Sequence, residues 1–500
     1  MPLIPLKIPA GIYRVGTDFE GSNRWRDSNL IRWEDQSMRP IGGWSERDDL
    51  STNLTAAPRA SHIWVDNSGN GNQGYGSANE LLYVNSSGTV YDITPAGFTT
   101  GEEDATINRG FGGGTWGNGY YGTRRLGANN FQEADTWALD NYGENLVACA
   151  TSDGKLYEWA LDTAANATQI TNSPTSCKGL VVTEERFIFA LQAGGNKRKI
   201  SWCDREDNTV WTAAATNEAG DLELQTSGEI MTGVRMRGRT LILTNVDAHI
   251  ATYQGPPYVY GFERVGTACG TISRKSAVAI DQGAFWMGNE GFFVFDGSVA
   301  KRMKCDVLDA VFDDINHNQV SKAFAVHNSE HSEVWWFYPS NGSTENDRYV
   351  YYNYVDNYWG IGQMDRTCGS DKGVFDNPIW VDADGQTYDQ EVIGASHGTD
   401  TPFCETGPIS LGNGDTVMRV NKVIGDEGTQ GDVKLQFKTR FYPNETERTY
   451  PTASTYYSLD SSPTSVRFSG RQMRMRVTAD TNAAFRVGTM RVNAEAGGRR

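Results

Sequence analysis

The chain has 500 residues, of which 38% are hydrophobic and 11% aromatic, and its formal net charge is −17 at pH 7. That length exceeds what one ordinary hydrophobic core takes up, and 55 glycines against 16 prolines are typical of a turn-rich β protein. The acidic balance argues against ordinary DNA binding, and no run approaches the roughly 18–20 apolar residues of a membrane span.

The cysteines indicate a reducing compartment. There are seven, an odd number, they are scattered, and they include no C-x-x-C pair; they are Cys149, Cys177, Cys203, Cys269, Cys305, Cys368 and Cys404. We therefore expect buried free thiols and neither a disulfide nor a zinc framework. The opening MPLIPLKIPAG lacks a basic segment followed by a long apolar one, so a secretory signal is not expected.

Residues 1–57 are predicted to form an N-terminal arm with one strand pair. The stretch NLIRWEDQSMRPIGGW (29–44) predicts two strands joined by a turn at residues 39–43. This pair either completes the repeated domain that follows it or reaches to a neighbouring molecule.

Residues 58–404 carry a repeated pattern of a glycine, a short apolar run, an aromatic residue and a carboxylate. It occurs as SSGTVYD (86–92), SDGKLYE (152–158), NEGFFVFDG (289–297) and ADGQTYD (383–389). The spacing corresponds to steps of about 46–47 residues plus one insertion, and a period of 40–50 residues built from hairpins is typical of propeller blades. Further hairpins near residues 195, 246 and 341 bring the number to seven.

We therefore predict an all-β fold with a six- or seven-bladed β-propeller. The blade number stays open because the N-terminal strand pair can complete the last hairpin. The glycines Gly88, Gly154, Gly291 and Gly385 are interpreted as structural blade turns that supply positive φ. The aromatic residue of each copy is expected on an inner strand, packed between neighbouring sheets.

The propeller region contains a glycine- and aromatic-rich insertion at residues 100–133. Its centre, RGFGGGTWGNGYYGTRRLG (109–127), offers a candidate interface formed by Arg109, Trp116, Tyr120, Tyr121, Arg124 and Arg125. Exposed aromatic residues on such a loop are costly unless they pack against a partner or fold back on their own blade. No G-K-[ST] follows, so this is not a phosphate loop.

One amphipathic helix is predicted inside the propeller region. In DVLDAVFDDIN (306–316), Leu308, Val311, Phe312 and Ile315 follow helical spacing. We expect it to be short and to lie on the outside of a blade.

Residues 405–500 change to strict alternation and predict a small C-terminal β-sandwich with a basic tail. This segment has 14 Lys or Arg against 10 Asp or Glu, a charge of +4, whereas residues 1–404 carry 31 and 52, a charge of −21. One face is apolar, and the other is expected to carry Arg467, Arg474, Arg476, Arg486 and Arg491. These arginines form either a solvated face or a docking surface for the acidic body of a neighbouring copy.

No arrangement of residues selects a catalytic centre. His327 and His331 are four apart but lack the order of a helical zinc site, and the pairs Asp313–Asp314 and Asp382–Asp384 are typical of turns or helix ends. SDGKLYEW (152–159) has the wrong spacing for the sialidase Asp box, and no serine nucleophile elbow occurs. The sequence predicts no enzyme, no metal and no cofactor.

Several segments resemble a known family. EVWWFYPSNGSTENDRYVYYNYVDNYWGIG (333–362), the helix before it, LIRWEDQSMRPIGGW near the start, the insertion and the GGRR end together resemble the tail hub or nozzle proteins of short-tailed bacteriophages, also called tail tubular or stabilisation proteins. The resemblance implies a structural virion protein assembled in the bacterial host cytoplasm: a homohexameric ring below the portal-adaptor ring and around the genome ejection channel.

The same resemblance implies the partners. These are other copies of the chain, the portal-adaptor ring, the tail fibre or spike proteins, a needle or plug, and double-stranded DNA that passes without specific binding. Carboxylates lining the channel would repel DNA. Two alternatives stay open, a virion-associated propeller that degrades polysaccharide and a propeller that binds carbohydrate.

Overall fold

The first strands of the chain are distributed over several sheets. The computed structural model describes residues 3–47, 50–107, 131–281, 283–410, 414–426, 433–452, 455–459, 462–480 and 485–498. The first strands are β1 (Leu3–Pro5), β2 (Trp25–Asn29), β3 (Ile31–Glu34), β4 (Ser37–Pro40) and β5 (Gly43–Glu46). β3 pairs with β4 as the predicted strand pair, while β1, β2 and β5 join three other sheets.

Six four-stranded antiparallel sheets follow in chain order. Blade 1 contains β6 (Pro58–Val65), β7 (Gly71–Ser77), β8 (Leu81–Val84) and β9 (Val90–Asp92). The short strands β10 (Thr106–Ile107) and β11 (Phe131–Gln132) then pair with each other at the base of the insertion. Blade 2 contains β12 (Trp137–Tyr142), β13 (Asn145–Ala150), β14 (Leu156–Trp159) and β15 (Thr168–Gln169). Blade 3 contains β16 (Gly179–Val182), β17 (Ile188–Leu191), β18 (Lys199–Trp202) and β19 (Gly220–Glu223), with a 3₁₀ turn at Ala193–Gly195.

Blades 4 to 6 continue the pattern. Blade 4 contains β20 (Ile230–Met236), β21 (Arg239–Thr244), β22 (Asp247–Gly255) and β23 (Val259–Thr267). Blade 5 contains β24 (Ala277–Ile280), β25 (Gly283–Met287), β26 (Phe292–Phe295) and β27 (Ala300–Arg302). Blade 6 contains β28 (Phe324–Asn328), β29 (Glu333–Tyr338), β30 (Arg348–Asn353) and β31 (Tyr358–Gln363), with 3₁₀ turns at Val320–Lys322 and Ser329–His331.

Blade 7 joins the two ends of the propeller. Its first three strands are β32 (Cys368–Ser370), β33 (Ile379–Val381) and β34 (Thr387–Val392), and its fourth is β5 from the start of the chain. The first strand of every blade lies beside that of the next, and β32 lies beside β6, so the ring is closed. Within the described part of the chain the propeller therefore has seven blades, completed by β5 and not by the strand pair β3–β4.

The strand pair also turns at a different place from the predicted one. β3 and β4 reverse at Asp35 and Gln36, both with left-handed backbone (φ 49° and 64°), whereas the predicted turn at 39–43 leads from β4 into blade 7. Arg-Pro-x-Gly-Gly was a strong turn signal, but the actual turn contains neither glycine nor proline, so local composition does not mark it.

The repeated glycines mark three positive-φ turns, not four. Gly88, Gly154 and Gly385 have φ of 77°, 68° and 77°, as predicted. Gly291 is not left-handed; a Cβ there would lie 2.8 Å from Arg302 Nε. Gly88 lies between the third and fourth strands of its blade, and the other three between the second and third.

The aromatic residues of the repeats lie on outer strands of their blades. Tyr157, Phe295 and Tyr388 lie on the third strand of their blades and Tyr91 on the fourth, so the predicted inner-strand position is wrong. Tyr157 nevertheless packs in one buried cluster with residues of blade 1, and Phe295 in one with residues of blade 4. The predicted packing between neighbouring sheets holds for these two, because the wide outer part of each gap needs the larger side chains.

The predicted helix is shorter than the amphipathic pattern of residues 306–316. α1 spans Leu308–Phe312 and links blades 5 and 6. Val311 and Ile315 are buried, and Phe312 packs edge-on against Phe292 with ring centroids 5.6 Å apart. Each of the seven cysteines is free and buried, as predicted.

The C-terminal strands form the predicted two-sheet sandwich. They are β35 (Phe403–Thr406), β36 (Ile409–Ser410), β37 (Met418–Ile424), β38 (Val433–Arg440), β39 (Arg448–Tyr450), β40 (Tyr457–Ser458), β41 (Thr464–Gly470), β42 (Gln472–Ala479) and β43 (Arg491–Ala496). One sheet has the order β1-β43-β37-β41, and the other β2-β35-β42-β38-β39, with β36 on β42 and β40 on β38. The sandwich thus takes one strand of each sheet from the N-terminal segment, and its core contains the alternating apolar residues of β41 and β42.

Candidate functional site

The first strands of the seven blades enclose a cavity, called here the central channel. Its volume is about 650 Å³, and its walls include residues of β6, β12, β16, β20, β24, β28 and β32. Because all seven blades contribute, the cavity exists only in the closed ring. Its size falls in the range of small-molecule sites, which are about 300–1,000 Å³.

Basic side chains gather at one end of the central channel. Lys178 lies directly before β16, and Arg274 and Lys275 lie before β24. Arg274 Nη1 donates to the carbonyl oxygens of Ile230 (3.2 Å) and Met231 (3.0 Å), where β20 begins. The strand starts therefore form what we call the basic end.

Two of these cations lack counter-ions. Lys275 is partly buried, and its ammonium makes no hydrogen bond or ion pair with any residue that the structure describes, while Arg274 Nε is buried without an acceptor. Burial lowers the pKa of Lys275 to about 8, against smaller opposing effects of Cys368 and Asp140. Burial also lowers the pKa of Arg274, against opposing effects of the Glu133 and Glu229 carboxylates. Two positive charges without an ion-pair partner among the described residues thus line the cavity.

At the opposite end the charges are paired. Arg235 Nη2 lies 3.7 Å from Asp140 Oδ1, and His327 Nδ1 lies 3.0 Å from Asp371 Oδ2. His62 is hydrogen-bonded to an asparagine, and burial lowers its pKa, which favours the neutral ring. The central channel therefore has charged side chains at both ends and many apolar side chains along its walls, and its excess positive charge lies at the basic end.

The basic end is covered by residues outside the blades. A cavity of about 20 Å³ beside Arg274 is lined by Glu133, which follows β11, and by Val320 and Ser321 of a 3₁₀ turn. The β10 side is tied to the same place, because Gln319 Oε1 accepts a hydrogen bond from the Ala105 amide (2.9 Å). Such cover lowers the effective dielectric constant and strengthens any charge interaction beneath it.

A second group of charges joins the N-terminal hairpin to the propeller. Arg32 Nη2 lies 2.8 Å from Glu333 Oε2 and 2.6 Å from Glu391 Oε1, and all three side chains are buried. Burial raises the pKa of Glu333 to about 7 despite Arg32, whereas Arg32 holds the pKa of Glu391 below its ordinary value. The three residues come from β3, blade 6 and blade 7, so this network fixes the hairpin across two blades.

Comparisons with known proteins give a likeness in architecture only. No family model matches the chain, and no curated protein matches it. Among solved structures, virginiamycin B lyase from Staphylococcus aureus is 9% identical, with a TM-score of 0.44 over 70% of this chain and 99% of that chain. BBS1N in complex with ARL6DN is 11% identical, with a TM-score of 0.33 over 72% and 98%. The fold assignment rests on the strand order described above.

Part of the predicted interface lies outside the described residues. Arg109, Trp116, Tyr120, Tyr121, Arg124 and Arg125 all fall in residues 108–130, and the last two arginines of the basic tail are also outside. Their role as an interface stays a prediction. No helix in the described ranges is long and apolar enough to cross a membrane.

The predicted arginine face is divided between two sheets. Arg474 and Arg476 lie on β42, whereas Arg467 on β41 and Arg491 on β43 belong to the opposite sheet. Arg486 lies between β42 and β43, exposed and 3.5 Å from Asp35. Period-2 alternation shows which side chains point outward, but not which strands share a sheet, so a single face was the wrong inference.

The two pairs of arginines also differ in their contacts. Arg474 pairs with Asp18 and lies 2.7 Å from Glu447, and Arg476 lies 3.5 Å from Glu405. Arg467 and Arg491 are exposed and form no ion pair with a described residue. If an arginine contacts another copy, the exposed pair is the better candidate.

The histidine and aspartate candidates have ordinary structural partners. His331 Nε2 lies 3.7 Å from Glu391 Oε2, and Asp382 Oδ1 accepts hydrogen bonds from the Asp384 and Gln386 amides (both 2.9 Å). Asp314 lies 3.6 Å from Arg348 Nε. Across the described ranges, no three His, Cys, Asp or Glu residues are grouped as metal ligands.

Sequence reasoning missed the basic end and the Arg32 network. The only local sign of the first was Arg274-Lys275 directly before the apolar run AVAI, since two adjacent cations at the start of an inner strand are unusual. Arg32 and Glu333 carry no such sign, because the pattern of each strand alone does not show that both side chains are buried.

Proposed function

We propose that the chain is a structural subunit of a virion tail, the ring-shaped nozzle or hub of a short-tailed bacteriophage. As a homohexamer it would dock below the portal-adaptor ring, surround the genome ejection channel and carry the fibres or spikes. It would act as a non-catalytic scaffold.

The observation that supports this proposal best is the contact between the two segments that carry the resemblance. The Leu30 amide donates to the Tyr349 hydroxyl (2.7 Å), and the Tyr351 hydroxyl donates to the Ile31 carbonyl (2.8 Å). These segments are 319 or more residues apart in the chain. The two segments that resemble the same family in sequence therefore form one contiguous unit in the fold.

That unit joins the propeller to the sandwich. β2 pairs with β35 of the sandwich, and the next residues, β3 and β4, lie against blade 6. The Ser28 hydroxyl donates to the Ile361 carbonyl (2.8 Å), and the Asn29 side-chain oxygen accepts from the Gln363 amide (2.8 Å). A subunit that transmits load around a ring needs such a fixed relation between its domains.

The proposal also gives the charge a role. Residues 1–404 carry −21, so six copies would surround DNA with a field that repels it and leaves ejection unhindered. DNA would pass between copies, because a central channel of about 650 Å³ has the size of a small-molecule site.

The test is the native mass of the full chain, with negative-stain images of the same sample. We expect a six-fold ring of about six times 55.1 kDa with a central opening. A monomer at every concentration that also binds glycans on an array would contradict the proposal and support the carbohydrate-binding alternative.

A further inference from the structure

We propose that the central channel binds a small oxyanion, the phosphate or carboxylate group of a small molecule, through Lys275 and Arg274. This site is separate from the proposed assembly function, because the central channel belongs to a single propeller and not to the space between copies.

Four buried cations elsewhere in the chain have partners that compensate their charge. Arg59 Nη1 lies 2.6 Å from Glu345 Oε2, and Lys322 Nζ lies 2.6 Å from Glu345 Oε1. Arg32 has two carboxylate partners. Arg366 has aromatic neighbours instead, with its guanidinium carbon 4.5 Å from the centre of the Tyr388 ring. These four buried cations therefore have charged or aromatic partners, whereas the buried Arg440 has only neutral acceptors, the Gln472 side-chain oxygen (2.7 Å) and the Pro443 carbonyl oxygen (2.8 Å).

Lys275 and Arg274 differ from these residues. The Lys275 ammonium has no acceptor among the described residues, and Arg274 has only the carbonyl oxygens of Ile230 and Met231, with Nε left without a partner. Both residues are partly buried. Desolvating a charge without pairing it is costly, and an anion in the channel would reduce that cost.

Three carboxylates act on these cations, and none of them forms an ion pair with either one. Glu133 and Glu229 act on Arg274, and Glu229 is paired with Lys197 at 2.8 Å. Asp140 acts on Lys275 and is also engaged elsewhere. Asp140 Oδ2 accepts a hydrogen bond from the Val182 amide (2.9 Å), and Oδ1 faces Arg235 at 3.7 Å. Asp140 belongs to the paired end of the channel, so it weakly offsets the charge of Lys275 and does not neutralise it. Burial accordingly lowers the pKa of Lys275 to about 8.

The size of the ligand is limited by the channel, and a third cation, Lys178, favours an anion. Lys178 lies at the same end and donates to the Thr151 carbonyl, which leaves its positive charge without a carboxylate partner among the described residues. Glu133, Val320 and Ser321 line a small cavity beside Arg274 at this end, and a ligand has the channel volume of about 650 Å³. These limits fit a small molecule with one or two oxyanion groups and exclude a nucleic acid duplex.

The experiment measures protection of individual lysines in the unmodified full chain. The protein is labelled at pH 8 with limiting N-hydroxysuccinimidyl acetate, with inorganic phosphate from 0 up to millimolar levels and ionic strength held constant with chloride. Mass spectrometry then gives the labelled fraction at Lys275 and, as an internal control, at Lys304, whose side chain is 90% exposed. A parallel series uses succinate.

We expect saturable protection of Lys275, several-fold at the highest anion concentration, with Lys304 unchanged. Protection by phosphate alone would identify a phosphate site, and protection by succinate alone a carboxylate site. If neither anion protects Lys275 more than Lys304, the proposal is wrong.

Calorimetry with variants is the second measurement. Lys275→Met should weaken binding of the protecting anion at least tenfold, Lys275→Arg should retain most of it, and Lys304→Met should leave it unchanged. Equal affinity in Lys275→Met and the unmodified chain would also overturn the proposal, and the labelling result stands even if one variant folds poorly.

Discussion

Arg32 and Glu333, 301 residues apart in the chain, form a two-point ion pair in the protein interior, with Nε–Oε1 at 3.1 Å and Nη2–Oε2 at 2.8 Å. The Trp335 indole nitrogen donates to the same carboxylate at 2.9 Å, and Glu391 holds the other side of the guanidinium. A single arginine therefore pairs with two buried carboxyl groups and ties the N-terminal hairpin to blades 6 and 7.

Replacing Arg32 should destabilise the whole chain. In Arg32→Met, Glu333 and Glu391 would be left buried and unpaired, and we expect a loss of about 3–5 kcal/mol in the free energy of unfolding. The half-exposed Arg39 of the same hairpin is the control, and Arg39→Met should change stability by less than about 1 kcal/mol. Thermal and urea unfolding of both variants measure this, and similar midpoints would show that the network is not a main source of stability.

The lowered pKa of Lys275 predicts a pH-dependent effect. Its folded pKa of about 8 lies below the ordinary 10.5, so the unfolded chain binds more protons between these values and stability rises with pH there. Cys368, which acts on Lys275, has a pKa raised to about 12 by burial and stays a neutral thiol.

Lys275→Met should therefore be more stable than the unmodified chain by about 1–3 kcal/mol at pH 7, with the difference vanishing toward pH 10.5. Unfolding curves at intervals of half a pH unit test this, with Lys304→Met for comparison. A difference that stays constant across this window would refute the titration of Lys275.

Two of the repeated glycines should respond differently to alanine. In Gly385→Ala the Cβ would lie 2.2 Å from the Leu54 carbonyl oxygen at φ 77°, so we expect a loss of about 2 kcal/mol or more. In Gly291→Ala the Cβ would meet only the mobile end of Arg302, and the loss should stay below about 1 kcal/mol. Equal losses, measured by thermal unfolding, would contradict this distinction.

Variants at two pairs of arginines in the sandwich should distinguish an effect on assembly from an effect on folding. Arg467→Glu with Arg491→Glu changes exposed, unpaired side chains, so the melting temperature should stay unchanged while ring formation is lost if these residues contact a neighbouring copy. Arg474→Glu with Arg476→Glu places acidic groups beside Asp18 and Glu405 and should lower stability by about 1–2 kcal/mol. Native mass and thermal unfolding of both variants are the readouts, and intact rings in the first variant would exclude the exposed pair.

Local patterns were sufficient for much of the fold. The hairpin period predicted a propeller, and the alternation of Val466, Phe468, Met473 and Met475 predicted buried sandwich strands, as observed. Both patterns depend on side chains close in sequence, whose direction follows from the pleat of a single strand. The positive φ of Gly88, Gly154 and Gly385 is also predictable from local sequence, because a tight turn constrains its own residues.

The sequence by itself determined the element types, the two architectures and the buried thiols. Only the tertiary structure decided that β5 closes the ring at seven blades, that β1 and β2 belong to the sandwich, and that Lys275 faces a cavity without a counter-ion. The physical reason is that these features depend on contacts between residues hundreds of positions apart. Local periodicity does not encode which distant strand supplies a hydrogen-bonding edge. It also does not encode which distant carboxylate reaches a given cation.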